Sequence, residues 1–200
     1  MIIDPLDTIA ANSLRNFHAK GLDYLCLHRS SELTIKANFY ELGQDSAPEV
    51  VCPHDHRYPF STHVLAGRSG HIRYRDETVG ESTHERFDWR TPLNGGAGFE
   101  WSAEARLDVR SHEQFAQGQS YWCDHDEIHT ITINRSDTVL LLYQHADTLP
   151  IDLATSTYAP LGSPAPSTAG LYDRMTLADA EKRLRMIIDT LNPRYRSATA

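Results

Sequence analysis

The stretch His54-Asp55-His56-Arg57-Tyr58-Pro59-Phe60-Ser61-Thr62-His63-Val64-Leu65-Ala66-Gly67 decides how this chain is read. In extended backbone, side chains two positions apart point to the same side. His54 and His56 therefore present both imidazoles to one point, while Asp55 points away and is expected to support them structurally. Far downstream, His129 leads the alternating run His129-Thr130-Ile131-Thr132-Ile133, in which Ile131 and Ile133 mark an inward face. Imidazole is a common ligand for Fe(II), Zn(II), Ni(II) and Cu(II). Three of them, from two separated stretches, make His54, His56 and His129 a candidate metal site.

The surrounding pattern is strand-like. Ile35-Lys36-Ala37-Asn38-Phe39-Tyr40, His71-Ile72-Arg73-Tyr74-Arg75, Arg106-Leu107-Asp108-Val109-Arg110 and Thr138-Val139-Leu140-Leu141-Leu142-Tyr143 join His129–Ile133 as predicted strands. Gly67-Arg68-Ser69-Gly70, Asn94-Gly95-Gly96-Ala97-Gly98 and Asn134-Arg135-Ser136-Asp137 are predicted turns. Many short strands divided by turns indicate a mainly β barrel or sandwich.

Helices are predicted at both ends. Asp4-Pro5 offers an N-cap and first-turn proline, Leu6, Ile9, Ala10, Leu14 and Phe17 recur near helical spacing, and Gly21 is the expected stop. Thr176-Leu177-Ala178-Asp179 reads as a capping box. It starts a helix over about 176–191 that carries Leu177, Ala180, Leu184, Ile187 and Leu191 and ends at Asn192-Pro193. Residues 160–170, with three prolines, read as a linker. Two hundred residues suit one domain, with its barrel over about 30–150.

Bulk properties exclude several function classes. A formal net charge of −8 disfavours sequence-independent nucleic-acid binding. Arg73/Arg75 and Lys182/Arg183/Arg185 are expected to be solvated faces. No apolar run approaches membrane-spanning length, and the first residues lack a signal-peptide pattern. Cys26, Cys52 and Cys123 are odd in number and have no CxxC spacing, which points to a reducing, cytoplasmic setting.

The 54–67 segment resembles the first motif of the cupins, two histidines followed by a turn glycine. The run Gly118-Gln119-Ser120-Tyr121-Trp122-Cys123-Asp124-His125-Asp126-Glu127-Ile128-His129 resembles their second motif, which leads from a glycine to the third histidine. Within cupins the chain is most similar to three-histidine thiol dioxygenases of the cysteine dioxygenase type. The resemblance implies a jelly-roll, double-stranded β-helix barrel with flanking N- and C-terminal helices, and suggests a homodimer. Where many cupins place a glutamate ligand this chain has Phe60 or Ser61. No cysteine lies between Cys52 and Cys123 to form that family's cysteine–tyrosine cross-link. Of a later Ser-x-His-x-Tyr run only Tyr143 remains, and Lys36 and Arg73 are the candidates for the family's carboxylate-binding arginine.

Three neutral imidazoles leave a divalent ion its full charge, which favours anionic, chelating substrates such as a thiolate, an enolate or a carboxylate with an adjacent donor. Fe(II) with three protein ligands keeps open positions for substrate and O2. The expected function is an Fe(II)-dependent dioxygenase or oxygenase acting on a small polar metabolite. The alternatives are a Zn, Mn or Ni cupin acting as isomerase, lyase or hydrolase, and a metal-dependent small-molecule-binding protein. Glu127 is read either as a fourth ligand or acid/base, or as a turn carboxylate orienting a histidine. Tyr143 is read either as a proton donor or substrate contact in the cavity, or as a core aromatic. His63 is expected to line the barrel or replace the missing glutamate. His125 and Asp126 are expected at the surface, and Cys52 and Cys123 as inert thiols.

Overall fold

Strands dominate because the middle of the chain is rich in β-branched and aromatic residues at alternate positions. The computed structural model describes residues 2–40, 51–92, 95–133 and 137–192. Twelve described strands form two antiparallel sheets. The seven-stranded sheet contains β1 (Leu14–Arg15), β2 (Leu22–Arg29), β3 (Leu33–Tyr40), β4 (Phe60–Ala66), β8 (Ser120–Cys123), β10 (Val139–His145) and β12 (Asp173–Arg174). Its order is β12-β1-β2-β3-β10-β4-β8. The five-stranded sheet contains β5 (Arg68–Glu77), β6 (His84–Arg90), β7 (Gly98–Ala116), β9 (His129–Ile133) and β11 (Thr155–Pro160), in the order β11-β6-β7-β5-β9. With α1 (Leu6–Asn12) and α2 (Leu177–Leu191), this is the expected jelly-roll barrel with flanking helices.

The smaller sheet is closed by the histidine segment itself. The His54 amide donates to the His129 carbonyl at 2.9 Å, and the His129 amide returns a bond to His54 at 3.0 Å. On its other side the segment meets β11, where Asp55 N–H donates to Ser156 and Tyr158 N–H donates to Pro53. One short extended stretch thus joins both outer strands, β9 and β11, and satisfies backbone groups that an open edge would expose.

Two apolar layers lie on opposite faces of the larger sheet. Phe60, Val64, Tyr121, Cys123, Ile133, Leu140 and Leu142 fill the barrel interior. Leu25, Leu27, Ala37, Phe39, Val139 and Leu141 face outward and are covered by Ile9 and Ala10 of α1 and Ala180 and Ile187 of α2. Burial on both faces explains the almost continuous apolar runs of β2 and β10. The capping box of α2 is present, with Thr176 and Asp179 each accepting the other's backbone N–H at 3.1 Å. Gly67, at φ +73°, joins β4 to β5. A Cβ there would lie 2.4 Å from Thr138 Oγ1 and 2.8 Å from its Cα, so only glycine fits.

Several expectations need correction. The first helix stops at Asn12, not near Gly21, because Leu14 pairs with Tyr24 and starts a strand. Asp4 does not cap it: its carboxylate binds His28 Nδ1 at 2.8 Å and accepts from Arg29 N–H. Arg68–Gly70 belongs to β5 and Gly98 to β7, so those turns are shorter than expected. Asn94, Asn134–Ser136 and Pro193 lie outside the described residues. Arg183 is not on a solvated face. It is buried, and its guanidinium donates to Asp23 of β2 at 2.6 and 3.0 Å, fastening α2 to the sheet.

Candidate metal centre

The backbone pairing of His54 with His129 fixes where three imidazoles meet. His54 Nδ1 lies 2.9 Å from the Cys52 carbonyl and donates to it, so the lone pair of Nε2 is left free. His56 Nε2 and His129 Nε2 are 2.9 Å apart. All three residues offer a ligand nitrogen within 4.8 Å of the others. Two nitrogens each about 2.1 Å from one ion, at about a right angle, would have nearly this separation. The donor set fits a divalent cation.

Burial sets the charge of the site. His54, His56 and His129 all have pKa values below the ordinary 6.5, first because burial disfavours the imidazolium form. Mutual repulsion adds to this at His56 and His129, and Lys36 disfavours a further positive charge at His54 and His56. The rings are neutral at pH 7, which is the state that ligates a metal.

A fourth histidine, not singled out in the sequence, stands behind the site. His71 of β5 is fully buried, its Nε2 lies 2.9 Å from His129 Nδ1, and its ring stacks on Tyr121 at 4.3 Å between centroids. When His129 ligates through Nε2, its Nδ1–H donates to His71 and the ring is held in one tautomer and orientation. The sequence alone did not mark it, because its place beside His129 depends on the register that pairs it with Ile131, two residues along the His129 strand. Phe60 packs on His56 and His129 at 5.0 and 5.6 Å and forms an apolar wall. Asp55 accepts the Ser156 amide at 2.7 Å, the supporting place expected of it.

The structure does not bring the other two residues proposed for chemistry to this point. Glu127 is half-buried, but its carboxylate is ion-paired with Arg73, which also binds Glu113 and the Trp122 carbonyl. Arg73 is therefore neither a solvated residue nor an open anion receptor. Tyr143 packs under the helices with Val139 and Leu141, and its ring meets His63 at 5.4 Å. His63 is exposed on that same outer face and does not line the barrel. On β10 it is Gln144, one residue on, that reaches the cavity. Both faces of β10 are apolar, so alternation along the sequence did not show which one was interior.

The cavity opens in front of His54 and His56, has a volume of about 760 Å3, and is lined on one side by Lys36, Tyr58 and Gln144. Cys123 is fully buried beside His71 and His129, and burial raises its thiol well above the ordinary range, which keeps it protonated. Among the described residues, no helix is long and apolar enough to cross a membrane.

No family model and no curated protein matches the sequence. Solved structures resemble it at low identity. An RmlC-like cupin from Shewanella frigidimarina is 12% identical, with 68% of this chain and 85% of that one aligned at a TM-score of 0.38. KdgF from Halomonas sp. is 12% identical over 62% of this chain and 81% of its own, at 0.35. The hydroxypropylphosphonic acid epoxidase of S. wedmorenis is 14% identical over 72% of this chain, at 0.42. The aligned part covers 59% of the epoxidase's own length.

Proposed function

We propose that the protein is a mononuclear non-haem Fe(II) oxygenase or dioxygenase that oxidises a small metal-chelating metabolite, with O2 as co-substrate. The observation that carries this reading is the convergence of three neutral imidazoles, His54, His56 and His129, within 4.8 Å beside an open cavity. Fe(II) held there would supply open coordination positions and redox chemistry, with its charge uncompensated by any ligand carboxylate.

The chain's own residues do the rest. Cys52 and His71 fix the tautomers of His54 and His129. Phe60 excludes water from one side of the imidazoles. With a dication held by these neutral imidazoles, the cavity side of His54 and His56 would favour an anionic group. A thiol remains one substrate within this reading. Cytoplasmic location stands as a proposal from the sequence, and homodimer formation as one from the family resemblance.

The test is metal analysis of protein purified without added metals, followed by oxygen-electrode assays with small thiols and with hydroxy and amino acids. The reading expects near-stoichiometric iron and oxygen uptake that depends on both iron and substrate. Turnover without oxygen consumption in a Zn, Mn or Ni form would replace it with isomerase, lyase or hydrolase chemistry. Tight metabolite binding with no turnover under any metal would make the protein a binding module.

A further inference from the structure

The cavity beside the three histidines contains a cation with no matching anion. Lys36, in the middle of β3, is only 4% exposed. Its ammonium donates to Gln144 Oε1 at 3.1 Å and to the Tyr58 hydroxyl at 3.3 Å. It also lies over the rings of Tyr58, Tyr24 and Phe17, at 5.2, 5.3 and 5.9 Å from their centroids. Among the described residues no carboxylate stands within ion-pair distance of it. Burying an ammonium is costly, and neutral oxygens and ring faces relieve that cost only in part. The third N–H and the net charge are left for something that enters the cavity.

The lining agrees in sign. Five basic side chains border the cavity against the carboxylates Asp55 and Asp147; Arg57 and Arg90 are ion-paired, with Asp147 and Glu100, which leaves Lys36, Arg29 and Arg174. Asp55 accepts the Ser156 amide, and Asp147 is paired with Arg57. Lys36 is close to the imidazoles, since the Tyr58 ring that it covers is itself 5.2 Å from the His56 ring. An anion between Lys36 and the histidine cluster would therefore answer two cationic centres, the ammonium and the metal that the imidazoles would hold.

One wall of the cavity is a run of aromatic rings. Tyr24 stacks on Phe17 at 4.7 Å, Phe17 meets Tyr172 at 5.8 Å, Tyr172 faces Trp89 at 6.5 Å, and Trp89 packs on Phe99 at 4.2 Å. This run of rings leads from the ammonium to Phe99. A volume of about 760 Å3 suits a ligand far larger than an amino acid. We infer that the substrate is a ring-bearing organic acid: its anionic group sits between Lys36 and the three-histidine point, and its flat apolar body lies along the Phe17–Tyr172–Trp89 wall. This rests on the proposed function and narrows its metal-chelating metabolite to an aromatic acid.

The test is calorimetric titration of protein loaded with Zn(II), so that binding is measured without oxidation. Three probes are used: 3-phenyllactate, lactate, which lacks the ring, and 3-phenyllactamide, which lacks the charge. Phenyllactate should bind at least tenfold tighter than either of the others. Lys36→Met keeps the apolar stem among the rings. It should lower phenyllactate affinity at least tenfold, leave phenyllactamide unchanged and retain full Zn(II), while Lys36→Arg should restore most of the loss. Equal binding of acid and amide, or an unchanged Lys36→Met titration, would overturn the role of Lys36. Equal binding of phenyllactate and lactate would overturn the ring-bearing class. The wild-type comparisons stand even if both variants misfold. Repeating the titrations on metal-free protein separates this proposal from the oxygenase reading. There the acid–amide preference and its loss in Lys36→Met should persist in reduced form, and its absence counts against Lys36, not against the histidines.

Discussion

The inner and outer faces of β10 are both buried, and they do different work. Leu140, Leu142 and Gln144 face the barrel, where the last of them meets Lys36 at the cavity. Val139, Leu141 and Tyr143 face the helices. Chemical groups exist on both sides, since Tyr143 and His63 outside are as reactive in principle as the inner histidines. What distinguishes the inner side is convergence: a closed sheet turns its interior side chains toward a common axis, whereas the outer face spreads them apart. Function in this fold therefore follows from which face a residue occupies more than from residue type.

The largest effect is expected inside. His129→Ala removes a ligand and the anchor of His71 together, and bound iron should fall from near-stoichiometric to below about a tenth, with activity lost, by metal analysis and oxygen uptake. Retention of iron would break the distinction between the faces at its strongest point. On the outer side, Asp23→Ala removes the carboxylate that accepts from two nitrogens of the buried Arg183. It should cost about 3–5 kcal/mol in chemical denaturation, with metal affinity per folded molecule unchanged.

His71→Gln comes next. Loss of the group that orients His129 should weaken metal binding about 10- to 100-fold in chelator competition, with the fold retained. Acidification sharpens the same point. Burial lowers the pKa of His71 from 6.5 to about 3 and pushes those of His54, His56 and His129 in the same direction. The unfolded chain therefore takes up protons first, so this stability is complete above about pH 6.5 and is lost as pH falls toward the depressed values. Urea midpoints of the metal-free protein between pH 7 and 4 should decline, less steeply in His71→Gln. The smallest effect belongs to Tyr143→Phe: with its ring under the helices, turnover should stay within about twofold of wild type. A tenfold loss would place its hydroxyl in the chemistry after all.

The parts of this arrangement legible in the sequence were those encoded locally. The i, i+2 histidines, the alternation of His129–Ile133 and the capping box at Thr176 each specify geometry within a few residues. Lys36 was visible only as a family-based candidate, because Phe17, Tyr24, Tyr58 and Gln144 reach it from four separate segments. The Glu127–Arg73 ion pair crosses between a turn and β5, so Glu127 kept two readings until the register was known. Arg183 looked solvated because its partner, Asp23, lies on a strand at the other end of the chain.

The central claim is that one cation sits among His54, His56 and His129, and not in the neighbouring pocket of His71, Cys123 and His129 that also gathers three donors. An anomalous difference map at the iron edge, from crystals loaded with Fe(II) without oxygen, tests it directly. The account predicts a single peak about 2.1 Å from a nitrogen of each of His54, His56 and His129. A peak beside the Cys123 sulfur, or none at all in iron-loaded protein, would contradict it.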